Sequence, residues 1–359
     1  MAFRRARLMP WVLSAAVVAI APTAIAQASS GTGWRVAFSH DYGTRPIGSS
    51  YLAVTAPGKG IAWAAGGAGG TGSPATGRPA AARWSNGRWR PVPLPSGLTG
   101  SLGAISADSA KDAWAVSLQT AFALRWNGTK WSVARRWPAI KHGLRRELTG
   151  VTAISPSDVW VFGGPGQFPG VGTWHFTGHS WAHVTSAPGS GIETASALSA
   201  KNIWAIGSAT APYDSIAHFT GSWHTVHATA LAGLQFTSIA AVSRDNVWAV
   251  GTLQAHARQA RLVHLTGSRW SRMALPRGIS PAGLAPDGRG GVWITAFGSS
   301  GSVVIHRSAS GSLSRTTIGL NRAVFGVALI PGTTSLWGAG WVKSASAVSA
   351  AVLAHGKVG

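Results

Sequence analysis

The sequence predicts an all-β fold, a seven-bladed β-propeller of four-stranded antiparallel blades, and three observations carry that prediction. The stretch SPSDVWVFGG (residues 155–164) recurs as AKDAWAVS, AKNIWAIG, RDNVWAVG, RGGVWITA and TTSLWGAG. With Trp63 added, its tryptophan stands at 63, 114, 160, 204, 248, 293 and 337, at intervals of 51, 46, 44, 44, 45 and 44 residues. A period of about 40–50 residues with strand-like composition is that of a four-stranded blade. Second, a short turn and another Trp follow in RWSNGRW, RWNGTKW, HFTGHSW, HFTGSW and HLTGSRW, giving Trp89, Trp131, Trp181, Trp223 and Trp270, while the sixth unit has Leu313 there. Third, the seventh unit stops at AVLAHGKVG without a fourth strand, and GTGWRVAFSH near the N-terminus belongs to no unit. Joined, the two read like HLTGSRWSRM, so the N-terminal segment is expected to close the last blade, residues 34–38 pairing with 352–355.

One unit can be read strand by strand. Residues 148–155 make an inner strand, small and apolar enough to crowd near an axis. A turn at 156–158 leads into the second strand, 159–163, which carries the Trp. The third strand is 172–176, and after the Thr177-Gly178 turn the fourth and outermost is 180–185. Asx and Gly chemistry supports both hairpins, and Asn127-Gly128 is the strongest hairpin signal in the chain. A strand covered on both faces by neighbouring blades can be apolar throughout. The Trp there buries about 200 Å², worth ~3–5 kcal/mol at ~25 cal/mol/Å². Asp112, Asp158, Asn202 and Asn246 precede it and are suited to capping the turn backbone.

These repeats resemble those of secreted bacterial β-propellers of the broad kelch-like and regulator-propeller group. APDGRGGVWITAFG (residues 285–298) carries the regulator-propeller D-x-x-G-n-l-W-i pattern. SPSDVW also resembles the sialidase Asp-box, without its Gly and with Trp two residues after Asp. The resemblance covers essentially the whole chain after the leader and implies the architecture, which hosts many unrelated activities.

Composition sets further bounds. With 45% apolar residues, 11% charged and 47 Gly, the chain favours short strands and tight turns over helices. The absence of Cys excludes disulfides, thiolate catalysis, cysteine metal sites and a Cys-modified Tyr radical cofactor. Arg4, Arg5 and Arg7, an apolar run over 11–21 and Ala24-Ile25-Ala26 follow the order of a secretory signal peptide cleaved after Ala26. The expected division is thus a signal peptide over 1–26, a linker over 27–33 and the propeller over 34–359, in a secreted or envelope-associated monomer. The formal charge is +22, and +19 without the three leader arginines. Such an excess suits anionic partners, although a solubilising basic surface reads the same way.

The connections between blades, and between second and third strands, differ from unit to unit and share one face, where binding usually resides. Asp41, Glu147, Glu193 and Asp214 fall there and are the only carboxylates outside the first-hairpin turns, so any catalytic pair would come from them. The same face collects Arg135, Arg136, Trp137, Lys141, His142, Arg145, Arg146, Arg258, Arg277 and Arg322. Most of these lie in ARRWPAIKHGLRRE (134–147), where cations around Trp137 could grip an anionic chain and stack on a ring. The alternative is a solvated loop with Trp137 under a neighbouring blade. Arg83, Arg125, Arg269 and Arg315 read as scattered basic sites. His175, His218, His264, His306 and His355 recur at the end of the third strand, where the first two units have Arg83 and Arg125. Equivalent points on successive blades lie too far apart to share a metal, so they read as repeat-inherited residues, with no metal or cofactor expected. The function expected is a non-enzymatic propeller that binds an anionic or carbohydrate-rich polymer. A glycan-cleaving hydrolase or lyase and a protein-docking scaffold are the alternatives.

Overall fold

The computed structural model describes residues 33–43, 47–69, 77–138, 147–164, 170–185, 191–208, 214–253 and 259–357. The expected leader, 1–26, lies outside them. Seven separate four-stranded antiparallel sheets form, one per repeat. The third runs Gly150–Ser155, Asp158–Gly163, Gly172–Phe176 and Trp181–Val184 from inside out, within two residues of the sequence-based boundaries. The inner strands of blades 1, 2, 4, 5 and 6 are Ser49–Gly58, Leu102–Ala107, Ile192–Ser199, Leu234–Ser243 and Ile279–Pro286. The last blade takes Arg322–Leu329, Leu336–Lys343 and Val348–His355 from the C-terminal end and its outer strand, Trp34–His40, from the N-terminal end. Trp34 stands opposite His355, Arg35 opposite Ala354 and Phe38 opposite Val352, which is the expected closure.

The repeated tryptophans lock one blade to the next. Trp63 packs on Trp126 and Trp131 of blade 2, with centroids 4.9 and 5.3 Å away. Trp114 meets Phe176 and Trp181 of blade 3, Trp160 meets Phe219 and Trp223 of blade 4, and Trp337 meets Trp84 and Trp89 of blade 1. The two sequence landmarks are therefore halves of one contact across most blade boundaries, Trp204 with Trp270 included. In blade 7 the outer-strand half is supplied by Trp34, which shares a core cluster with Trp293 of blade 6. Leu313, standing where blade 6 should have its Trp, is exposed.

Near the axis, hydroxyls stitch adjoining blades. Ser106 Oγ accepts the Ala153 amide at 3.0 Å, Ser196 Oγ that of Ala241 at 3.0 Å and Ser238 Oγ that of Leu284 at 3.1 Å. Further out, Ser49 Oγ accepts the amide of Ala350, on the third strand of blade 7, at 2.9 Å across the junction between blades 7 and 1. The outer hairpins turn as their residues dictate: Asn86 and Gly87 have φ of 52° and 73°, the paired left-handed conformation of a two-residue hairpin.

Candidate functional site

Because each inner strand runs into a tight hairpin, the turns between first and second strands and, in blades 1–6, between third and fourth open on one face and the varied connections on the other. On the varied face the basic cluster is partly built into the core. Trp137 is 6% exposed, edge-on to Trp174 and Trp181 at 5.9 and 5.7 Å. The Arg135 guanidinium lies 4.1 Å from the Trp174 centroid and also over Trp137 and Trp181, and burial pushes its pKa down. The inward position of Trp137 thus belongs to the packed alternative, and Arg135 closes that aromatic nest. Arg136 is exposed, beside the Phe122 ring. Arg277 is exposed between blades 5 and 6, and Arg322 is half-buried with Nε donating to the Ile318 carbonyl at 3.0 Å. Lys141, His142, Arg145, Arg146 and Arg258 lie outside the described residues.

Of the four carboxylate residues, two lie beside neighbouring glycines of one strand end. Glu147 is buried, its backbone bridges Gly170, and its carbonyl packs on Gly163. The Glu193 Cγ lies 2.8 Å from where a Cβ would stand on the adjacent Gly164. Glu147 and Glu193 therefore share the corner between blades 3 and 4. Asp41 is away from it, on the connection into blade 1, with Oδ1 accepting the Gly43 amide at 2.9 Å. Asp214 opens the third strand of blade 4, and its side chain lies outside the described part.

The hairpin face explains the repeated histidines. His175 Nε2 is 2.8 Å from Asp158 Oδ1 while its ring stacks on Trp160 at 4.1 Å, and Trp160 Nε1 donates to the same oxygen at 3.0 Å. His218 with Asn202, His264 with Asn246 and His306 with Asp287 repeat the bond at 2.9 Å each, every ring stacked on its blade's Trp. In blade 2, Arg125 replaces the histidine: its Nε is 2.6 Å from Asp112 Oδ1, and Trp114 Nε1 donates to Oδ2 at 2.9 Å. In blade 1, Ile61 takes the acid position, and Arg83 covers Trp63 and reaches the Ala110 carbonyl of blade 2. Arg83 and Arg125 are thus structural clamps, a correction to their reading as scattered surface charges. The turn-capping role expected of the motif acids is modified too. Asp287, which the sequence placed in a turn, accepts the amides of Arg289 and Gly291, whereas Asp112 and Asp158 point at tryptophan. His355 is one register off the others, opposite Leu336, and packs on Trp34 and Trp293. Among the described residues no three His, Asp or Glu gather in a way that could hold a metal ion.

These clamps make stability depend on pH. Burial, followed by the charge of Arg307, pushes His264 down to about 4. Burial also lowers His218 and His355. An unfolded histidine titrates near ~6.5, so the native state takes up these protons less readily than the unfolded one. Their contribution is complete above about pH 6.5 and is lost as pH falls towards 4. For Asp287 burial raises the pKa, but the bonds from His306 and the Arg289 and Gly291 amides outweigh it and hold it below the usual value. Its share is present above about pH 3.9 and is lost below that. The urea midpoint is expected to fall steadily from pH 7 to 4.5; a flat profile over that range would contradict the native clamp.

No protein-family model and no curated protein matches this sequence. Solved structures match in shape. A catalytically inactive virginiamycin B lyase from Staphylococcus aureus with quinupristin superposes at a TM-score of 0.63, with 13% identity over 89% of this chain and 99% of the lyase. YCF48 bound to a D1 peptide gives 0.59, with 10% identity over 90% of this chain and 97% of that one. U3-55K gives 0.59, with 11% identity over 90% and 98%. No helix among the described residues is long and apolar enough to cross a membrane. At these identities the likeness shows the fold alone, and that fold is the seven-bladed β-propeller.

Proposed function

We propose that this chain acts as an exported, non-enzymatic propeller that binds an anionic or carbohydrate-rich polymer of the cell envelope or its surroundings, in the manner of a kelch-like or regulator-type propeller. The observation that carries the reading is how the charges are sorted. Of only nine carboxylates, Asp112, Asp158 and Asp287 are bonded to Arg125, His175 and His306 inside the blades, and Glu147 is buried. Cations such as Arg136, Arg277, Lys111 and Lys201 stay exposed. The surface is therefore more one-sided than the +22 total conveys. The leader over 1–26 supports export. Binding of the mature protein to immobilised acidic polymers, screened on a glycan and cell-wall array, should weaken at least about 100-fold between 50 and 300 mM salt. Absent or salt-independent binding would remove this reading.

A glycan-cleaving hydrolase or lyase is the second reading, favoured by the placement of residues Glu147 and Glu193 beside the adjacent Gly163 and Gly164. Glu193→Gln would then abolish cleavage of a glycan that the wild type degrades, with polymer binding retained.

A further inference from the structure

The first-hairpin turns surround one mouth of the central channel, since each is the continuation of an inner strand. Five of the seven carry an exposed cation three or four residues before the motif Trp: Lys59, Lys111, Lys201, Arg244 and Arg289, in blades 1, 2, 4, 5 and 6. Blade 7 lacks one in its turn, but Ser335 Oγ donates to the Lys357 carbonyl at 2.7 Å and holds exposed Lys357 beside that turn. Lys59 leans over from the other side, its Cε 3.2 Å from where a Cβ would stand on Gly332. Between the turns of blades 6 and 7 a cavity of about 640 Å³ opens, bordered by Arg289, Lys357 and the Thr333–Thr334 turn. Counter-charge is scarce here. Asp112, Asp158 and Asp287 are turned inward onto their clamps, which leaves Asp108 and Asp245 beside six cations.

We propose that this cationic collar binds a linear phosphate-linked polymer, seated in the cavity between blades 6 and 7. The inference rests on the polyanion reading above but places the contact on the hairpin face, opposite the varied connections. The collar positions carry ammonium, guanidinium, hydroxyl and small groups and no aromatic ring, so recognition there is by charge and not by stacking on bases or sugars. One cation in each of five turns, with Lys357 beside a sixth, is a repeating array, and it matches a ligand whose charge repeats along its own backbone. A phosphate-linked chain meets that requirement without ordering flexible acidic side chains, each of which would cost about 0.5–1.5 kcal/mol to immobilise.

The test compares Lys59→Gln/Arg289→Gln/Lys357→Gln with a rim control, Arg90→Gln/Arg269→Gln/Arg315→Gln, which removes the same charge from outer strands. Affinity for inorganic polyphosphate and for synthetic poly(glycerol phosphate) would be measured between 50 and 300 mM salt, with melting curves to confirm folding. The collar variant should bind at least about ten-fold more weakly, with the log–log salt slope reduced by roughly two units, and the rim control should lose much less. Binding of both polymers points to phosphate as the shared feature, and binding of one identifies the source. Equal losses in the two variants would overturn the collar. Equal or stronger binding of poly-glutamate would overturn its preference for phosphate. A wild type that binds other acidic polymers but neither phosphate polymer would also overturn the collar while sparing the polyanion reading. Binding to no polyanion at all would sink both.

Discussion

Deletion of residues 27–40 should cost more than about 5 kcal/mol and leave little cooperatively folded protein at 37 °C. The segment looks like a tail in the sequence, yet Trp34–His40 within it is the entire outer strand of blade 7. Trp34 is 4% exposed and fits against Gly338, where a Cβ would come within 2.9 Å of its Cζ3. It supplies the outer-strand half of the Trp contact opposite Trp293, and Arg35 Nη1 donates to the Gly356 carbonyl at 2.7 Å. Loss of one such Trp costs about 3–5 kcal/mol, and the deletion also uncovers the edge of Val348–His355, a template for pairing with other chains. Circular dichroism melting with size-exclusion chromatography reads both effects. Trp34→Ala, expected to lose about 3–5 kcal/mol, keeps the test open if the deletion never folds. An unchanged melting temperature in both would refute the closure as a source of stability.

Asp112→Ala should be the most damaging change on the hairpin face, at about 3 kcal/mol or more. Its carboxylate is 4% exposed and bonded to both Arg125 and Trp114. Removal leaves a half-buried guanidinium without its counter-charge, and breaking such a pair typically costs about 3–5 kcal/mol. Asn246→Ala, at the equivalent place in blade 5, removes only neutral hydrogen bonds to His264 and the Gly290 carbonyl and should cost about 1 kcal/mol. Urea denaturation ranks the two. Equal, small losses would show that stacking on tryptophan, and not the acid, holds the clamp.

The blades, the strand order within each and the join across the termini were legible because each leaves a periodic trace. A Trp repeats every 44–51 residues, and a strand without a blade answers a blade without a strand. What periodicity hides is what lies across the period. Nothing within one repeat says that Trp63 will rest on Trp126 and Trp131 of the next blade, or that Asp158, suited to a turn cap, will hold Trp160 and His175. Arg83 and Arg125 align with histidines in the sequence, and only the stacked geometry shows why a flat cation substitutes for imidazole there. The candidate site was less legible. Trp137 drew attention through its basic neighbours, but an aromatic near cations is equally a core residue capped by one, as Arg135 shows. The collar escaped notice because its cations are offset by one residue between blades and are separated by whole repeats, so no window of sequence looks basic.

The pairing of Trp34–His40 with Val348–His355, with contacts spanning 321 residues, also sets a timetable for folding. On a ribosome the closing strand is made before any blade and must wait for the final repeat to emerge. Until then blade 1 presents an uncovered face, and the tryptophans awaiting blade 7 stay open to solvent. A nascent propeller of this kind can nucleate repeat by repeat but cannot complete its circle early. The long-range step comes last, so the apolar edge of the unfinished ring stays uncovered until the final repeat is made.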